Sequence, residues 1–440
     1  MKSIMIAAPA SGNGKTTLTL GILRALKNRG LDVCAYKTGP DYIDRAFLET
    51  ASGKPAGNLD MHLQGREGMY QSLSLSNSEY GVIEGVMGYF DGIYNTWQNS
   101  SYHISRLLDI PTLLVYSPKG EMFSAIPKIQ GMCDFEGSTI SMVVFNQVTE
   151  HYYQLLKEAV EEHTNLKVLG YIPKTEAFSL KSRHLGLIQE QEIENLDQTI
   201  DHIAQIVEEQ LDLNSLIEAM RPVTLPKAIE APRFPHYGIR VAIAKDRAFS
   251  FYYKENLEML EACCEVSYFS PLSDEKIPDC DLLYLGGGYP EVYRQRLSQN
   301  TAMLESIRAF VEDDGYVFAE CGGFMFLTDF IEEDAMVGIF PGKSSLTKRL
   351  QRFGYIDLKL KEHCLLGEKG DSLTAHEFHK SISDVKGKSL FQIQKTMGEK
   401  SWECGFQYKN VLAGYPHIHF LGNQKAFQHM LFTVQQATHK

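Results

Sequence analysis

A chain of 440 residues with 43 Lys and Arg against 55 Asp and Glu carries a formal net charge of −12. Its length suits two or three domains, each burying its own core, and its acidity argues against a general nucleic-acid surface. It contains no apolar run long enough for a membrane span, no signal-peptide layout, and eight scattered cysteines without Cys-x-x-Cys spacing. A cytoplasmic protein with reduced thiols is therefore expected, without zinc, membrane or nucleic acid.

Ile4-Met5-Ile6-Ala7 reads as a buried strand and residues 18–26 as a helix. Between them lies Ala8-Pro9-Ala10-Ser11-Gly12-Asn13-Gly14-Lys15-Thr16-Thr17. Strand, small-residue loop, Lys-Thr and helix is the context of a phosphate-binding loop. Backbone N–H groups of residues 11–17 and the new helix N-terminus favour phosphate oxygens. Lys15 reaches the outer phosphates and the Thr16 hydroxyl suits Mg²⁺. The loop departs from the usual pattern at Pro9, where a glycine is expected.

A second strand, 33–36, ends in Lys37-Thr38-Gly39-Pro40-Asp41-Tyr42-Ile43-Asp44. Open α/β sheets place ligands at such carboxyl ends. Asp41 and Asp44 suit a metal ion or its waters, and Lys37 a phosphate or carboxylate. Read alone, Gly-Pro-Asp is also an ordinary surface turn. Val82-Ile83 is a further short strand, with Glu84 at its end, placed like a magnesium-organising carboxylate. The glycine-rich stretch 85–92 follows and contains Asp91. Strand-like runs at 113–116, 142–146 and 169–173 alternate with helical stretches, which predicts a mainly parallel sheet in an α/β fold. Arg183-His184 suits an anionic substrate or, equally, a solvated loop. Residues 196–220 are helical by period, and the prolines at 222, 226, 232 and 235 mark a linker over 222–237. The expected domains are 1–221 and 238–440.

The second half restarts with a strand at 239–244 and a helix across 253–261. Leu282-Leu283-Tyr284-Leu285 runs into Gly286-Gly287-Gly288, whose amides suit an oxyanion. Tyr316-Val317-Phe318-Ala319-Glu320-Cys321-Gly322-Gly323 reads as strand, tight turn and helix start. This is the design of a nucleophile elbow with Cys321 at the turn, and a helix N-terminus there would favour thiolate. Candidate bases are His417 and His419, at alternate positions of an extended stretch. His376 and His379 read as a metal pair only if they share a helix face.

Taken together, Ala-Pro-x-Ser-Gly-x-Gly-Lys-Thr, Lys-x-Gly-Pro-Asp-Tyr-Ile-Asp, Glu-Gly-Val-Met-Gly-x-x-Asp-Gly, Arg-His-Leu-Gly-Leu, Leu-Gly-Gly-Gly-Tyr-Pro-Glu, Glu-Cys-Gly-Gly-Phe-Met, His-Glu-Phe-His and the closing His-x-His-Phe resemble the cobyrinic acid a,c-diamide synthase family. The resemblance covers nearly the whole chain in the family's order. It implies an N-terminal ATP-dependent synthetase domain related to dethiobiotin synthetase and a C-terminal class I glutaminase domain, both α/β. It implies Cys321 as nucleophile and His417 as its base. His419 stands where many class I glutaminases have an orienting acid. The implied oxyanion amides are those of Gly288 and Gly322, and the implied Mg²⁺ ligands are Thr16, Asp41 and Glu84. Lys37, Asp41, Tyr42, Asp44, Asp91, Arg183 and His184 match positions of the synthetase site. Ser117 departs from the family's frequent aspartate.

The implied chemistry uses ATP and Mg²⁺ to activate a carboxylate as an acyl phosphate, which ammonia released from glutamine at Cys321 converts to an amide. The implied acceptors are the a- and c-acetate side chains of cobyrinic acid. The same architecture also serves Ni-sirohydrochlorin or hydrogenobyrinic acid, and the motifs do not separate these macrocycles. Cobyric acid synthases are a further relative, disfavoured by His417-Ile418-His419-Phe420. A partition-type ATPase switch with an inert second half is the reading from another class. The resemblance leaves a homodimer open.

Overall fold

Alternate side chains of the first strand enter different cores, as burial between two helical layers requires. Ile4 and Ile6 face one cluster and Met5 and Ala7 the other. The computed structural model describes residues 1–174, 195–226, 229 and 232–438. The chain forms two compact units, Met1–Met61 with Met69–Ala231, and His62–Gly68 with Pro232–Lys440.

In the first unit the strands are β1 (Lys2–Ala7), β2 (Val33–Thr38), β3 (Gly57–Leu59), β4 (Tyr80–Glu84), β5 (Thr112–Tyr116), β6 (Ile140–Val148) and β7 (Lys167–Pro173). They lie in the order β3-β2-β4-β1-β5-β6-β7. Every neighbouring pair is parallel. The carboxyl ends of β1, β2 and β4 therefore open on one edge of the sheet, and the loops 8–14, 39–42 and 85–92 emerge together there. The period read over 196–220 resolves into two helices, Leu196–Gln210 and Leu213–Ala219. The break is a cap: the Asp212 carboxylate accepts the Ser215 N–H at 3.0 Å and starts the second helix. Arg221–Pro222 pairs antiparallel with the start of β1, so the sheet holds the first proline of the expected linker.

The second unit builds a ten-stranded mixed sheet on a single core. Five parallel strands, in spatial order Glu265–Phe269, Arg240–Ala244, Leu282–Leu285, Tyr316–Glu320 and Val411–Gly414, form one half. An antiparallel series continues through Ser401–Tyr408, Ser389–Lys395, Arg352–Leu360 and Ser372–His379 to the short strand His417–Ile418. The helix read at 253–261 is Lys254–Cys263. The seven residues His62–Gly68, remote in sequence, belong to this unit. Among the described residues no helix is long and apolar enough to cross a membrane.

Candidate active sites

At the end of β1 the helix Lys15–Asn28 starts after Gly14, which sits at φ 88°. A Cβ at Gly14 would lie 2.1 Å from the Asn146 side-chain nitrogen, so only glycine fits this left-handed position. Asn146 donates to the Asn13 carbonyl at 2.8 Å. The Asn13 side chain in turn accepts from Ser117 N–H at 3.1 Å and donates to Ala10 O at 2.9 Å. Asn13 thus acts by shaping the loop, while Ser11 and Gly12 lie exposed at its tip. Thr17 is buried beneath it. Ser117, just after β5, anchors the phosphate loop through its backbone N–H to Asn13, a contact that does not depend on the side chain at this position.

Three loops meet around Glu84, which is fully buried. Thr16 donates its hydroxyl to Glu84 Oε1 at 2.5 Å, and the Lys37 ammonium donates to the same oxygen at 2.8 Å. Lys37 also donates to Asp44 Oδ2 at 2.8 Å. Lys15 Nζ donates to the carbonyl of Met87 at 2.5 Å. Asp41 Oδ1 accepts the N–H groups of Ile43 and Asp44 at 2.9 and 3.0 Å and starts the helix Ile43–Ser52, with Tyr42 in the cap position. Asp91 folds back on its own loop and accepts Gly88 N–H at 2.9 Å. The sequence-predicted residues Lys15, Thr16, Lys37, Asp41, Asp44, Glu84 and Asp91 therefore gather at one sheet edge. Arg183 and His184 lie outside the described residues.

The electrostatics follow from burial. Desolvation and the Lys37 charge lower Lys15 to about 8. Burial alone would depress Lys37 as well, but Asp44, Glu84 and Asp41 outweigh it and push the ammonium upward. Burial and Asp44 raise Asp41 to about 7. Glu84 Oε2 is buried without a hydrogen-bond partner. The Thr16 hydroxyl and the Asp41 and Glu84 carboxylates, the latter with one orphaned oxygen, are the hard donor set a Mg²⁺ ion takes, so the residues fit that ion.

In the second unit, Cys321 sits between the strand Tyr316–Glu320 and the short helix Gly322–Phe326, at φ 49° and ψ −101°. That left-handed backbone is strained for a residue with a Cβ and costs about 1–3 kcal/mol. Cys321 N–H donates to Gly414 O at 2.7 Å and Gly323 N–H to Gly286 O at 2.9 Å, which hold the elbow from both sides. A Cβ at Gly322 would lie 3.0 Å from the amide nitrogen of Gly288. The two amides expected to face an oxyanion are therefore neighbours.

The expected thiolate is not what this site favours at rest. Burial, then Glu291 and Glu377, push the Cys321 thiol upward, and the Gly322 amide opposes them. The helix has five residues, too short for a substantial dipole. His417 is fully buried and lowered to about 3 by desolvation and by His379. Burial thus favours the uncharged form of each group, a thiol at Cys321 and a neutral imidazole at His417.

His417 is fixed by its neighbours. It lies opposite His376 in the antiparallel pair of His417–Ile418 with Ser372–His379. The following amide, Ile418 N–H, donates to Glu320 Oε1 at 2.8 Å, tying the histidine strand to the residue before Cys321. Tyr284 donates to the other Glu320 oxygen at 2.7 Å, and burial lifts this carboxyl to about 7. His376 and His379 lie on a strand, which overturns the helical metal-pair reading. Alternation sends them to opposite faces, and His379 stacks on Tyr415 at 3.8 Å with its Nε2 3.8 Å from Glu377 Oε2.

Sequence reasoning missed Asn146, Glu320 and Glu255, and read Gly287 only for its backbone amide within the triple glycine. Gly287 had a visible signal in the triple glycine, since a Cβ there would lie 2.4 Å from His417 Cε1. Gly287→Ala must displace the imidazole. The expected result is a fall in glutamine hydrolysis on the order of 10²-fold, as for misplacement of a reacting group by about 1 Å. Steady-state glutaminase assays with ammonia-dependent amidation as the control check this.

Residues 240–425 match the family described as CobB/CobQ-like glutamine amidotransferase domain, and residues 4–188 the CobQ/CobB/MinD/ParA nucleotide binding domain. A Clostridium acetobutylicum protein named cobyrinate a,c-diamide synthase is 43% identical over 438 residues, covering 98% of this chain and 100% of that protein. Proteins of the same name from Clostridium tetani and Listeria monocytogenes are 43% and 39% identical and cover 96% and 99% of this chain and 98% and 100% of their own lengths. The chain belongs to the cobyrinate a,c-diamide synthase family, which joins a nucleotide-binding domain to a glutamine amidotransferase domain in one polypeptide.

Proposed function

We propose that this ATP- and glutamine-dependent ligase amidates the a- and c-acetate side chains of cobyrinic acid in the cytoplasm, residues 1–221 acting as synthetase and 238–440 as glutaminase. The observation that supports it most is the presence in one chain of two chemically complementary sites. One is a phosphate loop whose Thr16 meets a buried carboxylate shared with Lys37. The other is a strained Cys321 elbow beside the Gly288 and Gly322 amides.

Cys321 Sγ attacks the side-chain carbonyl carbon of glutamine, and its proton passes to His417. The amides of Gly288 and Gly322 receive the negative charge on the tetrahedral oxygen. His417 returns the proton to the departing nitrogen, ammonia leaves, and water cleaves the thioester to glutamate. In the synthetase unit the substrate carboxylate takes the γ-phosphoryl group of ATP. The product is an acyl phosphate, from which ammonia displaces phosphate to leave the amide. Lys15 offsets charge on the transferring group. Lys37 lets Asp44 and Glu84 sit together beside it without mutual repulsion. Thr16, Asp41 and Glu84 would hold a Mg²⁺ ion, which supplies further positive charge to the phosphates.

The test supplies purified protein with ATP, Mg²⁺ and glutamine, and cobyrinic acid or Ni-sirohydrochlorin in parallel. Mass spectrometry of the first mixture is expected to show the diamide. Amidation of only the nickel tetrapyrrole would reject cobyrinic acid as acceptor while retaining the chemistry.

A further inference from the structure

The extended stretch that carries His417 continues into His419, and His419 is completely buried. Its Nε2 lies 3.1 Å from the Gln64 side-chain nitrogen and 3.5 Å from Glu255 Oε2. Its ring packs on Tyr253 with centroids 4.4 Å apart. Glu255 comes from the first turn of the helix Lys254–Cys263 and is itself 1% exposed. Gln64 comes from the segment His62–Gly68, 355 positions away from His419.

That segment is seated closely. A Cβ on Gly422 would fall 1.8 Å from the Leu63 carbonyl oxygen, so the main chains touch where only glycine admits it. Thr374 donates to the same oxygen at 3.4 Å, and His62 Nε2 meets Thr396 Oγ1 at 3.2 Å. The backbone around His419 is clamped as well. Asn256 donates to Ile418 O and accepts Phe420 N–H, both at 2.7 Å, and Asn423 donates to His419 O at 3.0 Å.

A carboxylate, a carboxamide and an imidazole buried together are unfavourable unless they fix one another, and an apolar core would fill the same space. What this cluster supplies is orientation. The Gln64 amide N–H donates to Nε2, which makes that nitrogen the acceptor and fixes the ring's tautomer, while Glu255 flanks the same nitrogen. With the ring locked and the backbone at 418–420 clamped, the direction of His417 two residues earlier is set.

We propose that Gln64 and Glu255 are positioning residues for glutamine hydrolysis, acting through His419 on the placement of His417 against Cys321. The proposal rests on the reading of Cys321 and His417 as the glutaminase pair.

The test measures kcat and KM for glutamine hydrolysis in Gln64→Leu, Glu255→Gln, His419→Gln and the double variant Gln64→Leu with His419→Gln, with Cys321→Ala in parallel. The expected result is a kcat about 10- to 100-fold lower in Gln64→Leu and Glu255→Gln, with KM within about twofold. The double variant is expected to be no worse than His419→Gln alone, because both changes act through one ring. An unchanged KM for glutamine reports on the fold of the glutaminase unit in each variant, and ammonia-dependent amidation on that of the synthetase unit. Wild-type kcat in Gln64→Leu and Glu255→Gln beside an inactive Cys321→Ala would overturn the positioning role alone. So would an equal loss of ammonia-dependent amidation, or strictly additive effects in the double variant. An active Cys321→Ala would instead overturn the glutaminase assignment beneath it.

Discussion

Cys321→Ala is expected to lose glutamine hydrolysis by a factor on the order of 10⁶, the scale seen when a covalent nucleophile is removed. Ammonia-dependent amidation is expected to persist. The side chain lost is small and lies at a backbone position already held by Gly414 and Gly286 contacts, so the elbow has no reason to collapse. Alanine shares the φ 49° strain, and the change removes the sulfur without changing the turn. Paired assays of glutamate release and of amide formation with ammonium chloride check it. Normal glutamine use by the variant would reject Cys321 as the nucleophile.

The complementary change, Lys15→Met, is expected to remove amidation from both nitrogen sources by about 10²–10³-fold and leave the Cys321 chemistry in place. Methionine keeps most of the volume of a buried stem and deletes the charge. Lys15 is already lowered to about 8 by burial and by Lys37, so its charge is held at a cost that only an anionic partner offsets. Its loss therefore falls on the step in which phosphoryl charge moves. ATP-dependent amide formation with ammonium and with glutamine, measured side by side, separates this from a glutaminase defect. A variant defective with glutamine alone would contradict the proposed role. The two variants together predict a double dissociation: one loses the nitrogen source, the other the activated carboxylate.

Much of this arrangement was legible in the sequence because its signals are local. Strand, small-residue loop and Lys15-Thr16 occupy one short stretch, and the acidic residue Glu84 ends a short apolar run. The Cys321 elbow is announced by the glycines after it. What was not legible depends on partners far apart in the chain. His62–Gly68 carries no periodicity that reveals its place beside residues 374 and 422. Glu255 opens an amphipathic helix, where an acid reads as solvated, yet it is buried against His419. His376 and His379 have helical spacing by accident, and the antiparallel pairing with residues 352–360 overrides it. The thiolate expectation failed because local reasoning counts the helix end and omits the desolvation that the surrounding core imposes on Cys321.

The most direct measurement of the central claim is the fate of nitrogen from amide-¹⁵N glutamine. The wild-type protein, ATP, Mg²⁺ and cobyrinic acid would be incubated with labelled glutamine, and the product read by mass spectrometry. The expected product is a diamide carrying ¹⁵N at both new amides, with no labelled product from Cys321→Ala under the same conditions. Release of labelled ammonia and glutamate with no amide on cobyrinic acid would contradict it.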